Sequence, residues 1–98
     1  MRESTIEHHL VQEVEKRGGL CYKLSPIGRV NKPDRLVILK GRMVFVECKA
    51  PGQKPREGQL REHERLRKLG HEVYMLDSKN VDFLDNKIVA DYIEEHGF

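Results

Sequence analysis

The sequence predicts an α/β fold in which a small mixed sheet is flanked by helices. Apolar residues recur at helical spacing near the N-terminus, whereas two short β-branched runs in the middle of the chain flank a glycine turn. All four prolines fall between Pro26 and Pro55, so the predicted helical segments are uninterrupted. The resulting order of elements is α-β-β-β-α-β-α.

The first helix and strand follow from capping, glycine and alternation signals. Ser4 and Glu7 have the Ser-x-x-Glu form of a capping box, which predicts a helix over residues 5–16. Two glycines then end the helix, and residues 20–24 are short and partly alternating, which is typical of a strand. Residues 25–33 hold two prolines, a glycine and an asparagine and are predicted to form a loop.

The remaining elements follow from apolar runs and their breakers. They are strands over residues 36–39 and 43–48 joined by a turn at Gly41, a charged helix over residues 56–69, a strand over residues 73–76, and a mainly helical C-terminus beginning near Val81. Val81, Leu84, Ile88, Tyr92 and Ile93 give that last segment its helical spacing, and whether Asn86 divides it stays open.

Length and composition predict one intracellular domain. A chain of 98 residues fits a single domain over residues 1–98. No run approaches the roughly 20 apolar residues that a membrane helix needs, and the N-terminus lacks the apolar core of a secretory signal. Cys21 and Cys48 have no metal-binding spacing and are expected to be reduced thiols in strands of a cytoplasmic protein.

Positive charge is concentrated in the middle of the chain. Residues 20–56 contain nine basic and only two acidic residues, a net charge of +7 within a chain whose net charge is +2. A segment with this charge predicts contact with a polyanion. Its two acids, Asp34 and Glu47, therefore become candidates for holding a divalent cation beside that polyanion.

Strand alternation and hairpin register predict that these acids meet. Glu47 and Lys49 share one face of the strand over residues 43–48, while Val44, Val46 and Cys48 share the other and should pack on a helix. A turn centred on Gly41 places Asp34 roughly opposite Glu47 or Lys49. Two carboxylates and an ammonium group are thus expected at one end of the hairpin.

These residue types suit metal-assisted cleavage of a phosphodiester. Mg²⁺ takes one or two carboxylates and completes its shell with water and phosphate oxygens. Lys49 could orient the attacking water or stabilise charge on the phosphate. The alternative is a surface ion pair between Glu47 and Lys49, with Asp34 capping a turn, since such pairs contribute only about 0–1 kcal/mol and are common.

Two residues on the helices have competing interpretations. Glu7 falls within the apolar arc of the first helix, so it either completes the capping box or binds a cation. On the second helix, Gln59 could reach Lys49 or the attacking water, or could satisfy buried backbone groups. His63 is expected to be a partly buried packing residue. The charged residues of this helix are expected to form a solvated face with intrahelical pairs: Arg61, Arg65, Arg67 and Lys68 with Glu62 and Glu64.

Basic residues on the two loops beside the acids are the predicted DNA contacts. They are Arg29, Lys32, Arg35, Lys54 and Arg56. Loop cations can reach backbone phosphates, and the scattered aromatic residues do not indicate stacking on single-stranded bases. The pattern favours duplex DNA held by its backbone.

Several of these residues together resemble the VRR-NUC domain of the PD-(D/E)XK nuclease superfamily. The matching segments are Pro33-Asp34-Arg35, Val44-Phe45-Val46-Glu47-Cys48-Lys49-Ala50, Gln59, Leu66 and Gly70-His71-Glu72-Val73. The resemblance implies a restriction-endonuclease-like αβββαβ core that uses Mg²⁺ or Mn²⁺. It implies metal binding by Asp34, Glu47, Glu7 and the backbone carbonyl of Cys48, with Lys49 as the catalytic lysine supported by Gln59.

The function predicted from these observations is metal-dependent, structure-selective DNA endonuclease activity. The small stand-alone form resembles phage and bacterial members, which are similar to Holliday-junction resolvases and pair as homodimers. The rival hypothesis is a non-catalytic nucleic-acid-binding module that keeps the basic groove. A protein–protein adaptor would instead predict an exposed apolar patch.

Overall fold

The computed structural model describes residues 1–24 and 31–86, and these residues form two helices packed against a four-stranded sheet. The elements are α1 (Glu3–Lys16), β1 (Leu20–Lys23), β2 (Arg35–Leu39), β3 (Arg42–Cys48), α2 (Glu57–Lys68) and β4 (Glu72–Leu76), followed by a 3₁₀ turn at Asp82–Leu84. The predicted α/β class and the αβββαβ order are confirmed. Within the described ranges, no helix is long and apolar enough to cross a membrane.

The sheet is mixed, as the sequence predicts. Its strand order is β1-β2-β3-β4; the first three strands are antiparallel, and β4 runs parallel to β3. The parallel pair needs a long crossover, which α2 supplies. Gly41 adopts a positive φ of 71° in the turn between β2 and β3, so the glycine predicted for this hairpin is needed there.

The core lies between α1 and one face of the sheet. Ile6, Leu10 and Val14 are fully buried on α1 and belong to the same cluster as Val44, Val46 and Cys48. Their spacing of four residues places them on one stripe of the helix. The predicted apolar face of β3 is confirmed, which fixes Glu47 and Lys49 on the opposite side of that strand.

The capping-box interpretation of Ser4 and Glu7 is wrong. The helix begins at Glu3, two residues earlier than predicted, with Arg2 at the N-cap and no side-chain capping bond. Ser4 therefore lies inside the first turn. The Glu7 carboxylate instead accepts a hydrogen bond from Arg35 on β2, a contact that the local pattern does not encode.

The second helix covers the other face of the sheet near β3 and β4. Gln59, Glu62 and His63 are buried there, so the predicted packing role of His63 is confirmed. The helix is less fully solvated than expected, because Arg67 donates a hydrogen bond of 2.7 Å to the carbonyl of Val73. The predicted intrahelical pairs do form at Arg61 with Glu57 and at Lys68 with Glu64.

The sheet face on which α2 packs is more exposed near β1. Leu20, Tyr22 and Met43 project from it and are 52%, 51% and 56% exposed. The strand register places all three on the side opposite α1.

Of the predicted C-terminal helix, only the beginning lies within the described residues. There, Val81 and Leu84 are buried at a single 3₁₀ turn. The predicted helical positions Ile88, Tyr92 and Ile93 lie outside the described residues.

Candidate metal and active centre

Asp34 lies immediately before β2, and its side chain is hydrogen-bonded to the backbone of β3. Arg35 pairs with Val46, so Asp34 comes level with Glu47 across the hairpin, as the register predicts. Its Oδ2 accepts a hydrogen bond of 3.2 Å from the amide of Cys48, and its carbonyl accepts one of 2.8 Å from the amide of Leu24. The carboxylate is therefore held beside the residue that separates Glu47 from Lys49.

Glu47 is a buried carboxylate with one satisfied and one unsatisfied oxygen. The residue is only 3% exposed. Its Oε2 accepts a hydrogen bond of 2.9 Å from Gln59 Nε2. Its Oε1 is buried and has no hydrogen-bond partner among the described residues. Burial, and then the negative charge of Asp34, raises the pKa of Glu47 to about 7.

Lys49 completes this group from the position just beyond β3. Its amide donates to the carbonyl of Leu76 at 2.9 Å, which extends the pairing with β4 by one residue. Its Nζ lies 3.4 Å from Glu47 Oε2, and its side chain is mostly buried. The Asp34, Glu47 and Lys49 residues of the predicted site are therefore brought together.

Gln59 connects the start of α2 to the centre. While its amide nitrogen donates to Glu47, its Oε1 accepts a hydrogen bond of 2.9 Å from the backbone amide of Arg56. One side chain thus caps the helix and orients the carboxylate. The sequence alone left Gln59 undecided, and its observed partner is Glu47 rather than Lys49.

Cys48 contributes main chain to the centre and its side chain to the core. Its amide binds Asp34, whereas its thiol is fully buried and is not in a disulfide. Burial raises the pKa of the thiol, and the negative charges of Asp34, Glu7 and Glu47 add to the effect.

Glu7 is engaged elsewhere than at Asp34 and Glu47. Its Oε2 accepts a hydrogen bond of 2.8 Å from Arg35 Nε and lies 3.9 Å from Lys23 Nζ. In the described parts of the chain, no three His, Cys, Asp or Glu side chains form a group that could hold a metal ion. The predicted ligand Glu7 is thus near the centre but directed to a cation of the protein.

Comparisons with known proteins agree with this arrangement. No family model matches the chain. A relative named "Putative nuclease p44", from Acyrthosiphon pisum secondary endosymbiont phage 1, is 57% identical over 82 residues, which cover 83% of this chain and 88% of the relative. A solved structure described as "VRR_NUC domain" is 40% identical, has a TM-score of 0.72 and aligns over 98% of this chain and 97% of its own. The chain belongs to the VRR-NUC nuclease family.

The centre of this VRR-NUC protein fits a hard divalent cation. Carboxylate oxygens are the ligands that Mg²⁺ and Mn²⁺ prefer, and Asp34 and Glu47 supply two carboxylates side by side. The unpartnered Oε1 of Glu47 is a buried acceptor that a cation would satisfy. A cation would also relieve the repulsion from Asp34 that contributes to the raised pKa of Glu47.

The predicted DNA-contacting cations differ in their exposure and in their partners. Lys54 and Arg56 lie exposed on the loop between β3 and α2, and Lys32, two residues before Asp34, is half-buried. Arg29 lies outside the described residues. Arg35 differs from the prediction because its side chain is only 16% exposed and pairs with Glu7.

The pairing of Arg35 with Glu7 is the feature of this VRR-NUC centre that sequence analysis missed. The alternation of residues along β2 could have indicated it. Arg35 alternates with Val37 and Leu39, so strand periodicity places its side chain on the α1 face. Charge alone had instead suggested a loop-like, solvent-facing role.

Proposed function

We propose that this chain is a divalent-metal-dependent DNA endonuclease that hydrolyses phosphodiester bonds. The observation that supports the proposal most directly is the buried, unpartnered Oε1 of Glu47, adjacent to Asp34 and Lys49. A buried carboxylate with an unused oxygen is costly unless a ligand completes it. Two carboxylates, a lysine and an adjacent basic loop are the groups that metal-assisted phosphodiester hydrolysis requires.

Asp34 and Glu47 would hold Mg²⁺ or Mn²⁺, with the Cys48 carbonyl and Glu7 as further proposed ligands. When bound, the cation would polarise the scissile phosphate and acidify a water molecule. Lys49, at 3.4 Å from Glu47, is placed to orient that water or to stabilise charge on the phosphate. Gln59 keeps the Glu47 carboxylate in one orientation through the bond to its Oε2.

The substrate is proposed to be duplex DNA, held by its phosphates. Lys54 and Arg56 are exposed on the loop that follows Lys49 and could bind the strand next to the scissile bond. Lys32 and Arg29 are proposed as further contacts on the loop before Asp34, whereas Arg35, the remaining predicted contact, pairs with Glu7 instead. We further propose that the preferred substrate is branched DNA, including Holliday junctions. The protein is proposed to act in the cytoplasm, with residues 1–98 forming one nuclease domain.

The active form is proposed to be a homodimer. Each chain is proposed to supply one metal centre, and symmetric incision of two strands needs two. The exposed Leu20, Tyr22 and Met43 on one face of the sheet support an apolar contact between two copies. Sedimentation velocity should show a dimer that Met43→Glu dissociates, whereas a monomeric wild-type protein at working concentration contradicts this part of the proposal.

Nuclease activity is tested with four-way, flap and linear DNA, each with Mg²⁺, Mn²⁺ or EDTA. We expect cleavage only with metal and a preference for the branched substrates. Asp34→Asn, Glu47→Gln and Lys49→Met should each abolish cleavage while keeping the fold. Asp34→Asn is the sharpest variant, because the amide oxygen can still accept the bond from Cys48. Glu64→Gln, which removes an exposed carboxylate on α2, is the matched control and should cut normally.

The rival function, a nucleic-acid-binding module, makes a different prediction. Such a module binds DNA without metal and loses affinity only as salt rises. DNA binding without any cleavage in either metal would therefore favour the module. Full cleavage by Asp34→Asn would instead show that hydrolysis occurs elsewhere.

A further inference from the structure

The ion pair between Glu7 and Arg35 joins α1 to the strand that carries Asp34. We infer that Arg35 competes with the catalytic cation for the Glu7 carboxylate, so that Glu7 exchanges between a protein-bound and a metal-bound state. The inference rests on the proposed metal dependence and adds a residue that sets how tightly the metal binds. It makes Arg35 a positioning residue for Glu7.

The contact is specific and largely shielded from solvent. Arg35 Nε donates to Glu7 Oε2 at 2.8 Å, and the two side chains are only 16% and 18% exposed. A guanidinium–carboxylate bond in such surroundings is stronger than a surface ion pair. The second cation near Glu7, Lys23, is 3.9 Å away and 69% exposed, so it competes weakly for the same oxygen.

The pair includes the residue next to Asp34. Arg35 directly follows Asp34, and Asp34 in turn binds the amide of Cys48. After burial, the charges of Asp34, Glu7 and Glu47 each raise the pKa of the Cys48 thiol, so all three acids act electrostatically on the same residue. Glu7 is thus bound to the residue next to Asp34, and it would have to leave Arg35 to reach a cation at Asp34 and Glu47.

Charge balance gives the exchange its direction. In the metal-free protein, Arg35 neutralises Glu7, and Lys49 offsets part of the charge on Glu47. A divalent cation placed among these acids would be repelled by both protein cations, and a further carboxylate ligand such as Glu7 would offset that repulsion. Metal binding through Glu7 must then break the Glu7–Arg35 contact, and the free energy lost with that contact weakens the net affinity for the metal.

A purely structural ion pair predicts a different response to substitution. Removing Arg35 would lower stability in either case, because a partly buried carboxylate loses its partner. Loss of the positive charge also favours metal binding through weaker repulsion, so tighter binding alone does not establish competition. Only competition through Glu7 predicts that the gain depends on a carboxylate at position 7.

The test is isothermal titration of the full chain with Mn²⁺, without DNA, on a double-mutant cycle. The proteins are the wild type, Arg35→Met, Glu7→Gln and the double variant. We expect Arg35→Met to lower the Kd for Mn²⁺ by at least about fivefold, the lower end of typical coupling between linked events. The gain should be largely lost in the double variant, since the amide at position 7 is a poor ligand with or without Arg35.

Arg35→Lys separates the specific contact from the loss of positive charge. It keeps the charge but lacks the planar fork, so it should tighten binding less than Arg35→Met and only when Glu7 is present. If Arg35→Met does not fold, as judged by circular dichroism and urea unfolding, Arg35→Lys with and without Glu7→Gln decides the question.

The outcomes distinguish this inference from the proposed function. Wild-type protein that binds no Mn²⁺ would overturn the metal dependence itself. Wild-type binding with an unchanged or weaker affinity in the Arg35 variants would overturn the competition alone. An equal gain in the Glu7→Gln background would also overturn it, because the effect would then be general repulsion.

Discussion

Gln59 Nε2 donates to Glu47 Oε2 at 2.9 Å, and this bond ties the first turn of α2 to the end of β3. The other end of the Gln59 amide accepts from the backbone of Arg56. The orientation of the Glu47 carboxylate is thus coupled to the start of a helix. The exposed loop with Lys54 leads directly into that helix.

Replacing Gln59 should impair the centre more than the fold. Gln59→Leu removes both bonds, and we expect metal affinity or cleavage to fall by about 10–100-fold, as for other residues that orient metal ligands. Gln59→Glu is the matched variant, because its carboxylate still accepts from the Arg56 amide but repels Glu47. Equal activity in Gln59→Glu and the wild type, measured by initial cleavage rates and Mn²⁺ titration, would assign Gln59 to capping alone.

The raised pKa of Glu47 predicts how the stability of the metal-free protein depends on pH. The pKa of Glu47 is about 7 in the folded protein, compared with the ordinary value of 4.5 that applies to the unfolded chain. Folding is therefore accompanied by proton uptake between about pH 4.5 and pH 7. The stabilisation is complete below pH 4.5 and is lost as pH rises through about 7, with a slope of up to about 1.4 kcal/mol per pH unit. Urea unfolding in EDTA should show this loss as a falling difference in the free energy of unfolding between the wild type and Glu47→Gln, in which the contributions of other titrating groups cancel. A difference that does not change with pH would refute the assignment.

The same proton competes with the metal. A ligating carboxylate must be ionised, so the affinity for Mn²⁺ should rise with pH and level off above about 7. Titrations at pH values on both sides of this point provide the measurement. An affinity independent of pH would show that Glu47 is already ionised in the metal-free protein.

His63 should have the opposite linkage. Burial, and then the positive charge of Arg67, lowers the pKa of His63 to about 4. The unfolded chain therefore binds more protons between about pH 4 and 6.5, and stability is lost as pH falls through that window. His63→Leu should remove the acid-side loss without weakening Mn²⁺ binding, and His8→Gln, at an exposed histidine, should change neither. Weaker metal binding in His63→Leu would contradict its role as a packing residue.

Arg42 is expected to stabilise the fold rather than bind DNA, although it belongs to the basic middle segment. Its guanidinium makes bonds of 2.9 and 2.6 Å to Glu72, and it also donates to the hydroxyl of Tyr74. These contacts join β3 to β4. We expect Arg42→Met to lower the free energy of unfolding by about 2 kcal/mol and to leave DNA affinity per folded molecule unchanged.

Tyr74→Phe provides the comparison for Arg42. It removes the hydroxyl bonds at 2.7 Å to Glu72 and 3.0 Å to Arg42 while keeping the ring, so it should cost about 1 kcal/mol. Urea unfolding gives both values, and fluorescence anisotropy gives the DNA affinity. A drop in affinity for Arg42→Met at unchanged stability would show that this arginine contacts DNA.

The sequence determines the strands and the meeting of Asp34 with Glu47 because both depend on local rules. Alternation along β3 and the glycine turn at Gly41 suffice to set face and register. Lys49 follows from the same rule. The resemblance to VRR-NUC domains, rather than the pattern of residues, selected Gln59, since its contact with Glu47 spans 12 positions and two elements.

The errors and omissions involve contacts between distant residues. Ser4 and Glu7 satisfy a local capping pattern, but Arg35, 28 positions away, provides a partner in partly buried surroundings. Arg67 and Glu62 were assigned to a solvated face because charge indicates exposure on average. Their burial depends on how α2 meets β4, which spacing along one helix does not specify.

Cys48 has a consequence for how this family could diverge. Its amide secures Asp34, whereas its thiol fills space against α1 and takes no part in the chemistry. Alanine or valine at this position would leave the amide in place and alter only interior volume. We therefore expect the residue at position 48 to vary among relatives together with the side chains of α1 that it contacts, whereas Glu47 and Lys49 on either side of it should not vary.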